Sequence, residues 1–298
     1  MSARWPLAAL VVVASSLCAC GGGVRVALSR PSAALYDEVA DVYLVANLGG
    51  DAGGASVHVV SPEDGEVSAL VTPDEGLRAP RGLALVGRTL WVADVDVLRT
   101  FDRVTGAPRG VTPIPGAASL WGLTAGADGT VYVSDAGAAA ATEPTASSEL
   151  SESADAGAIW KVPPGGVPEV LARGQELAGT TSISAQRGGL YAVNARDGQF
   201  CQVDYRGVRT ELGRAPQAGL CGLVRVPGAP DASDPRLRTP SWMAASRDGA
   251  AVYRFALTGG VQALPIRAAH PGDLGYDRRR RRLLVPLTND HRLLIEPL

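Results

Sequence analysis

Three groups of residues in this sequence are of types that could do chemistry. The first lies near the C-terminus, where His270, Asp273 and His291 occur close together. Two imidazoles and a carboxylate could bind zinc or exchange protons with a substrate. The second is a series of short polar residues, Asn47, Asp94, Asp135, Asn194, Ser246 and Asn289, each closing a similar apolar phrase. Asp and Asn gathered at strand ends could hold a metal or a sugar, but they also hydrogen-bond the backbone of their own turns. The functional members would be those aimed at a common centre. The third is the pair Cys201 and Cys221. An oxidising compartment would permit a bridge between them, whereas Cys221 as a nucleophile would need a free thiol and a neighbouring base. No G-x-S-x-G, phosphate loop or C-x-x-C pair occurs, so those nucleophile, nucleotide and redox signatures are missing.

The elements that must position these residues are written in repeats. Residues 82–94 read GLALVGRTLWVAD and residues 122–135 read GLTAGADGTVYVSD. Further copies lie at 33–47 (AALYDEVADVYLVAN), 182–194, 222–246 and 273–289. Each is a short apolar strand, a turn rich in Gly, Asp or Arg, and a second strand of β-branched or aromatic residues. Two intervals are lengthened by insertions, an acidic low-complexity stretch at 138–155 and a Pro-rich one at 226–240. Without them the period is roughly 40 residues, the size of a four-stranded propeller blade. A second hairpin follows each phrase except the last, where DHRLLIEPL stops after a third strand. The run VRVAL at 24–28 could supply the missing outer strand and close the ring. Two tandem β-sandwiches would not explain six copies of one phrase. The expected fold is therefore all-β, a six-bladed propeller closed by an N-terminal strand.

In that topology the start of each first strand and the loops after each second strand share one face, here called the top. Arg81, Trp121, Ser182, Cys221 and Asp273 are expected around the channel mouth. Asp94, Asp96, Asp135, Asn194, Arg196, Asp197, Arg247, Asp248 and Asn289 are expected further out. The candidate ligand-binding set is Arg81, Asp94, Trp121, Ser182, Asn194, Cys221, Asp273 and Asn289. Trp121 could stack on a sugar or an aromatic ligand, or plug the channel as core. Cys201 also falls near the top, so a bridge to Cys221 and two free thiols both stay open. The run Arg278–Arg282 forms a turn on the opposite, bottom face. It is either a solvated hairpin tip or a patch for anionic lipid or an acidic partner.

The formal net charge of −2 offers no field to recruit nucleic acid. At the N-terminus, Arg4 precedes an apolar core from Pro6 to Leu17, ending in Leu17-Cys18-Ala19-Cys20. This resembles a bacterial lipobox with Cys20 as the lipidated residue; the alternative is a plain secretory peptide cleaved nearby. The expected organisation is a lipoprotein signal peptide at 1–19 and a propeller at 20–298, anchored in the bacterial cell envelope and facing the periplasm or the exterior.

The phrases ALYDEVADVYLVANLGG, APRGLALVGRTLWVADVD and DLGYDRRRRRLLVPLTND resemble the six-bladed propellers of the gluconolactonase and regucalcin superfamily. The resemblance runs over nearly the whole chain and is nearest to exported relatives. It implies a divalent metal, calcium or zinc, held at the channel mouth by a Glu, two Asn and an Asp, which polarises a lactone carbonyl. The matching positions here are Ser32 and Ala33, then Trp121, then Thr181 and Ser182, then Cys221. None is a carboxylate or carboxamide. The expected protein thus binds a small ligand or an envelope protein on its top face without a cofactor. The alternative is a lactonase-like hydrolase with a rebuilt site, using Asp273, His270 and Asp94, with Ca²⁺ or Zn²⁺. An envelope scaffold is a third class.

Overall fold

Strands of five to seven residues, separated by Gly, Asp and Pro turns, cannot bury both faces alone and must stack side by side. The computed structural model describes residues 23–50, 54–138, 156–228, 240–257 and 260–298. The signal segment, Cys20 and most of both insertions lie outside the described residues. A short strand, β1 (Val24–Ala27), precedes blade 1, which comprises β2 (Pro31–Asp37), β3 (Val42–Asn47), β4 (Ser56–Val60) and β5 (Val67–Val71). Blade 2 is β6 (Pro80–Val86), β7 (Thr89–Asp94), β8 (Val97–Asp102) and β9 (Pro108–Pro113). Blade 3 is β10 (Leu120–Ala125), β11 (Val131–Asp135), β12 (Gly157–Val162) and β13 (Glu169–Gly174). Blade 4 is β14 (Thr180–Gln186), β15 (Gly189–Asn194), β16 (Gln199–Val203) and β17 (Arg209–Arg214). Blade 5 is β18 (Leu220–Val226), β19 (Ser241–Ser246), β20 (Ala251–Ala256) and β21 (Val261–Arg267). Blade 6 is β22 (Gly275–Asp277), β23 (Arg282–Leu287) and β24 (Arg292–Pro297), completed by β1.

Each sheet is an antiparallel four-stranded meander, and burial follows position in it. The second strands are enclosed by the blades on both sides; β11 and β19 are buried throughout. They therefore read as continuous apolar runs. The outermost strands meet solvent, and β9 is exposed along most of its length.

The ring closes as the sequence suggests. Strand β1 runs antiparallel to β24, with Val24 opposite Ile295 and Ala27 opposite Arg292. Val26 is buried with Tyr43, Val45, Leu284, Leu293 and Ile295, a cluster that belongs to blades 6 and 1 together. At the bottom, the arginine turn is neither a free tip nor an open cationic patch. Arg280 pairs with Asp41, Glu63 and Asp277, and Arg279 and Arg278 pair with Asp41 and Glu38. Asp277 is fully buried. It accepts Tyr43 Oη at 2.8 Å and the backbone N–H groups of Arg279 and Arg280 at 2.9 Å. The turn is thus a clamp between the last blade and the first.

Removing the Tyr43 hydroxyl leaves a buried carboxylate short of one donor. Tyr43→Phe is expected to lower unfolding free energy by about 1–2 kcal/mol, measured by urea denaturation.

Candidate functional site

The channel mouth is built from one position repeated around the ring. In blades 1, 2 and 4 the pairing of the first two strands skips a residue near its start, and the skipped residues are Ser32, Arg81 and Thr181. Comparable irregularities occur at Trp121–Gly122 and at Gly222, beside Cys221. A bulge re-aims a side chain out of the sheet, here toward the channel mouth. What these side chains then touch is the next blade. Ser32 Oγ donates to Pro80 O at 2.6 Å, Thr181 Oγ1 to Leu220 O at 2.6 Å, and Cys221 Sγ to Pro271 O at 3.1 Å. The Arg81 guanidinium lies 4.1 Å from the centre of the Trp121 ring. From blade 6, Asp273 N donates to Ser32 O at 2.8 Å. The blades come so close here that a Cβ on Gly122 would stand 2.5 Å from Ser182 Cα, and one on Gly272 would strike the Ser32 carbonyl.

These are the positions at which the resemblance would place metal ligands, and they do not fit a hard divalent ion. At Ser32, Thr181 and Cys221 two hydroxyls and a thiol are engaged with backbone carbonyls, and at Trp121 there is an indole; calcium requires oxygen ligands free to coordinate. Among the described residues no three His, Cys, Asp or Glu side chains converge to hold an ion. His270 and His291 sit on separate turns, both exposed.

Above this ring is a cavity of about 350 Å³. Its wall includes Arg30, Arg78, Arg81, Trp121, Arg247 and His270, and its floor is Asp273. Asp273 also lines a second cavity of about 540 Å³ that opens on the bottom face. It therefore stands as the partition of the axial channel. Its Oδ1 accepts Ser182 Oγ at 2.8 Å and Leu223 N at 3.3 Å. Burial raises its carboxyl to about 7, against the pull of those donors and of the Leu274 N–H. The Ser182 and Leu223 bonds converge on Oδ1. Cys221, also buried, is pushed up to about 12, with the Arg247 charge opposing the shift. It is a thiol donor at neutral pH and not a nucleophile.

Of the eight candidate residues, Arg81, Trp121, Cys221, Asp273 and Asn289 line this cavity, and Ser182 supports its floor. Asp94 and Asn194 do not face it. Asp94 is wholly buried, accepting the N–H groups of Arg78 at 3.0 Å and Ala79 at 2.7 Å and pairing with Arg99 at 2.8 Å. Asn194 donates to Ala178 O and accepts Arg196 N, both at 2.8 Å. Asp135 binds the N–H groups of Ala118, Ser119 and Gly137. All three hold the loop that leads into their own blade. Asn289 escapes this fate because it lies two residues beyond the equivalent register position, Leu287, which is bridged to Pro271. The possible bridge between Cys201 and Cys221 is not formed; both are free. Cys201 packs with Ile159 and Val203 in one interblade cluster and Cys221 with Leu274 and Val285 in another. Sequence reading missed Arg30 and Arg78 as wall residues; they lie one and two residues before a blade's first strand, and that placement was the available signal.

This is a six-bladed β-propeller. Its fold is shared with a gluconolactonase from Xanthomonas campestris, 17% identical, with a TM-score of 0.69 over 93% of this chain and 90% of that one. It is similar to an auxiliary nutrient binding protein from Bacteroides thetaiotaomicron (11% identity, TM-score 0.67, 90% and 69% of the chains). It is also similar to a catalytically inactive virginiamycin B lyase from Staphylococcus aureus in complex with quinupristin (12%, 0.55, 92% and 88%). At these identities the likeness is one of fold. No family model matches the sequence, and no curated protein matches it.

Two outcomes follow from the floor and wall. A carboxyl raised above its ordinary value near 4 keeps its proton in the folded state while the unfolded chain has lost it. Stability should then fall as pH rises from about 4 to about 7 and level off above. Asp273→Asn mimics the protonated acid, so its melting temperature should exceed that of the wild type at pH 8, by several degrees, but not at pH 4. Thermal melts across that range check the sign; a wild-type slope retained in the variant refutes it. Second, Cys201 and Cys221 should resist a thiol reagent in native protein and react fully in denaturant without reductant.

Proposed function

We propose that this protein is an envelope-anchored propeller that binds a small ligand in its top cavity, without the metal chemistry of the lactonases whose fold it shares. The observation that carries this reading is the pairing of two facts at one place. The positions that would hold a lactonase metal are spent on interblade contacts, while the cavity above them keeps a wall of arginines, an indole and a carboxyl. Such a concave site with a few converging polar groups is suited to ligand capture. A nutrient-binding neighbour of the same fold is compatible with it. The anchor rests on the lipobox at Cys20: Cys20→Ser should move the protein from the membrane to the soluble fraction.

The deciding measurement is metal analysis of purified protein with a lactone hydrolysis assay, with and without chelator. Neither stoichiometric metal nor chelator-sensitive turnover is expected, and finding both overturns the reading. One observation favours a second reading: the Asp273 carboxyl, with its value near neutrality, opens on the same cavity as His270. That pair could exchange protons in a metal-independent hydrolysis. Chelator-resistant turnover lost in Asp273→Asn would select it.

A further inference from the structure

We propose that the top cavity is a receptor for a small oxyanion, a carboxylate or phosphate, gripped by Arg81 and Arg247 against Trp121. This deepens the ligand-binding reading above and rests on it.

The first ground is local charge. The chain as a whole carries a net charge of −2, yet four arginines line this one cavity, Arg30, Arg78, Arg81 and Arg247. Among the described residues Asp273 is the only carboxylate in the lining, and burial keeps it protonated up to about 7. Arg78 is answered at the rim by Asp96. Among the described residues Arg30 and Arg247 have no ion-pair partner. The arginines of the bottom turn, by contrast, meet Asp41, Glu63 and Asp277. A concave cationic site in a weakly acidic protein focuses field on anions.

The second ground is geometry. The guanidinium carbons of Arg81 and Arg247 lie 4.1 and 5.3 Å from the centre of the same indole ring. The ring is itself fixed, since Trp121 Nε1 donates to Ser119 Oγ at 2.9 Å. Two guanidiniums from different blades are thus brought to one aromatic surface. Guanidinium forks held in place by stacking bind carboxylate and phosphate through paired N–H donors with little further loss of freedom. A protonated Asp273 at the floor could add an O–H donor to the same ligand. Carboxylate and phosphate share this chemistry, and affinity separates them.

The test is titration calorimetry of the purified protein at low ionic strength with inorganic phosphate, with succinate, and with sorbitol as a neutral control. One or both anions should bind and sorbitol should not; the anion that binds more tightly identifies the ligand class. Affinity should weaken with added salt. Arg81→Gln and Arg247→Gln should each weaken anion binding at least tenfold while leaving the circular dichroism spectrum unchanged. A filling substitution on the exposed turn, Asn289→Trp, should abolish it. If Asn289→Trp removes binding but the arginine variants do not, or if sorbitol binds as well as the anions, the oxyanion assignment fails while the cavity remains the ligand site. If anions bind equally in all three variants, the cavity reading fails as well. No binding of either anion at millimolar concentration overturns the oxyanion assignment.

Discussion

The structure depends on one seam. A propeller is a ring of sheets, and each sheet hides its inner strands only if both neighbours are present. Here the seam between blade 6 and blade 1 joins the two ends of the described chain, through β1 on β24 and through the buried Asp277 with its Tyr43 and arginine partners. The burial of Asp277 is tolerable only because backbone and side-chain donors from both blades converge on it. Once the seam holds, six strand starts face one axis, and whatever stands at those positions meets its neighbours.

That crowding explains the chemistry of the mouth. With strand starts close enough that glycine is required beside them, a side chain there can reach a ligand or reach the next blade. Ser32, Thr181 and Cys221 reach the next blade. Short donors without charge suit that task, since a carboxylate facing a carbonyl would be repelled. The polarity of the site has accordingly moved outward, to arginines one layer above the ring and to a single acid on its axis.

Much of the fold was legible because a propeller repeats its signals. The phrases around Ala84 and Trp91, or Thr124 and Tyr132, carry period-two patterning and turn chemistry that local rules read well. Even the closing strand could be placed, because a blade of three strands leaves an edge that must be covered. The site was less legible. Asp94, Asp135 and Asn194 have the same residue types as ligands, and only coordinates show that their oxygens are saturated by backbone N–H groups. The possible Cys201–Cys221 bridge does not form because both fall near the top along their strands while sitting in different radial layers, a third-strand and a first-strand position. Sequence spacing records height in the ring but not distance from the axis. The arginine turn at 278–282 reads as free charge in one dimension because its acidic partners, Asp41 and Glu63, are contributed by the far end of the chain.

The direction of β1 has a further consequence. Its first residue, Val24, pairs near the bottom end of β24, and its last, Ala27, near the top. The polypeptide therefore enters the ring from below, within a few residues of Cys20. On the anchoring proposed at Cys20, the propeller would be tethered by its underside. The arginine wall would then look outward, like an upturned bowl's opposite: a dish held level on the membrane, its opening presented to whatever diffuses past.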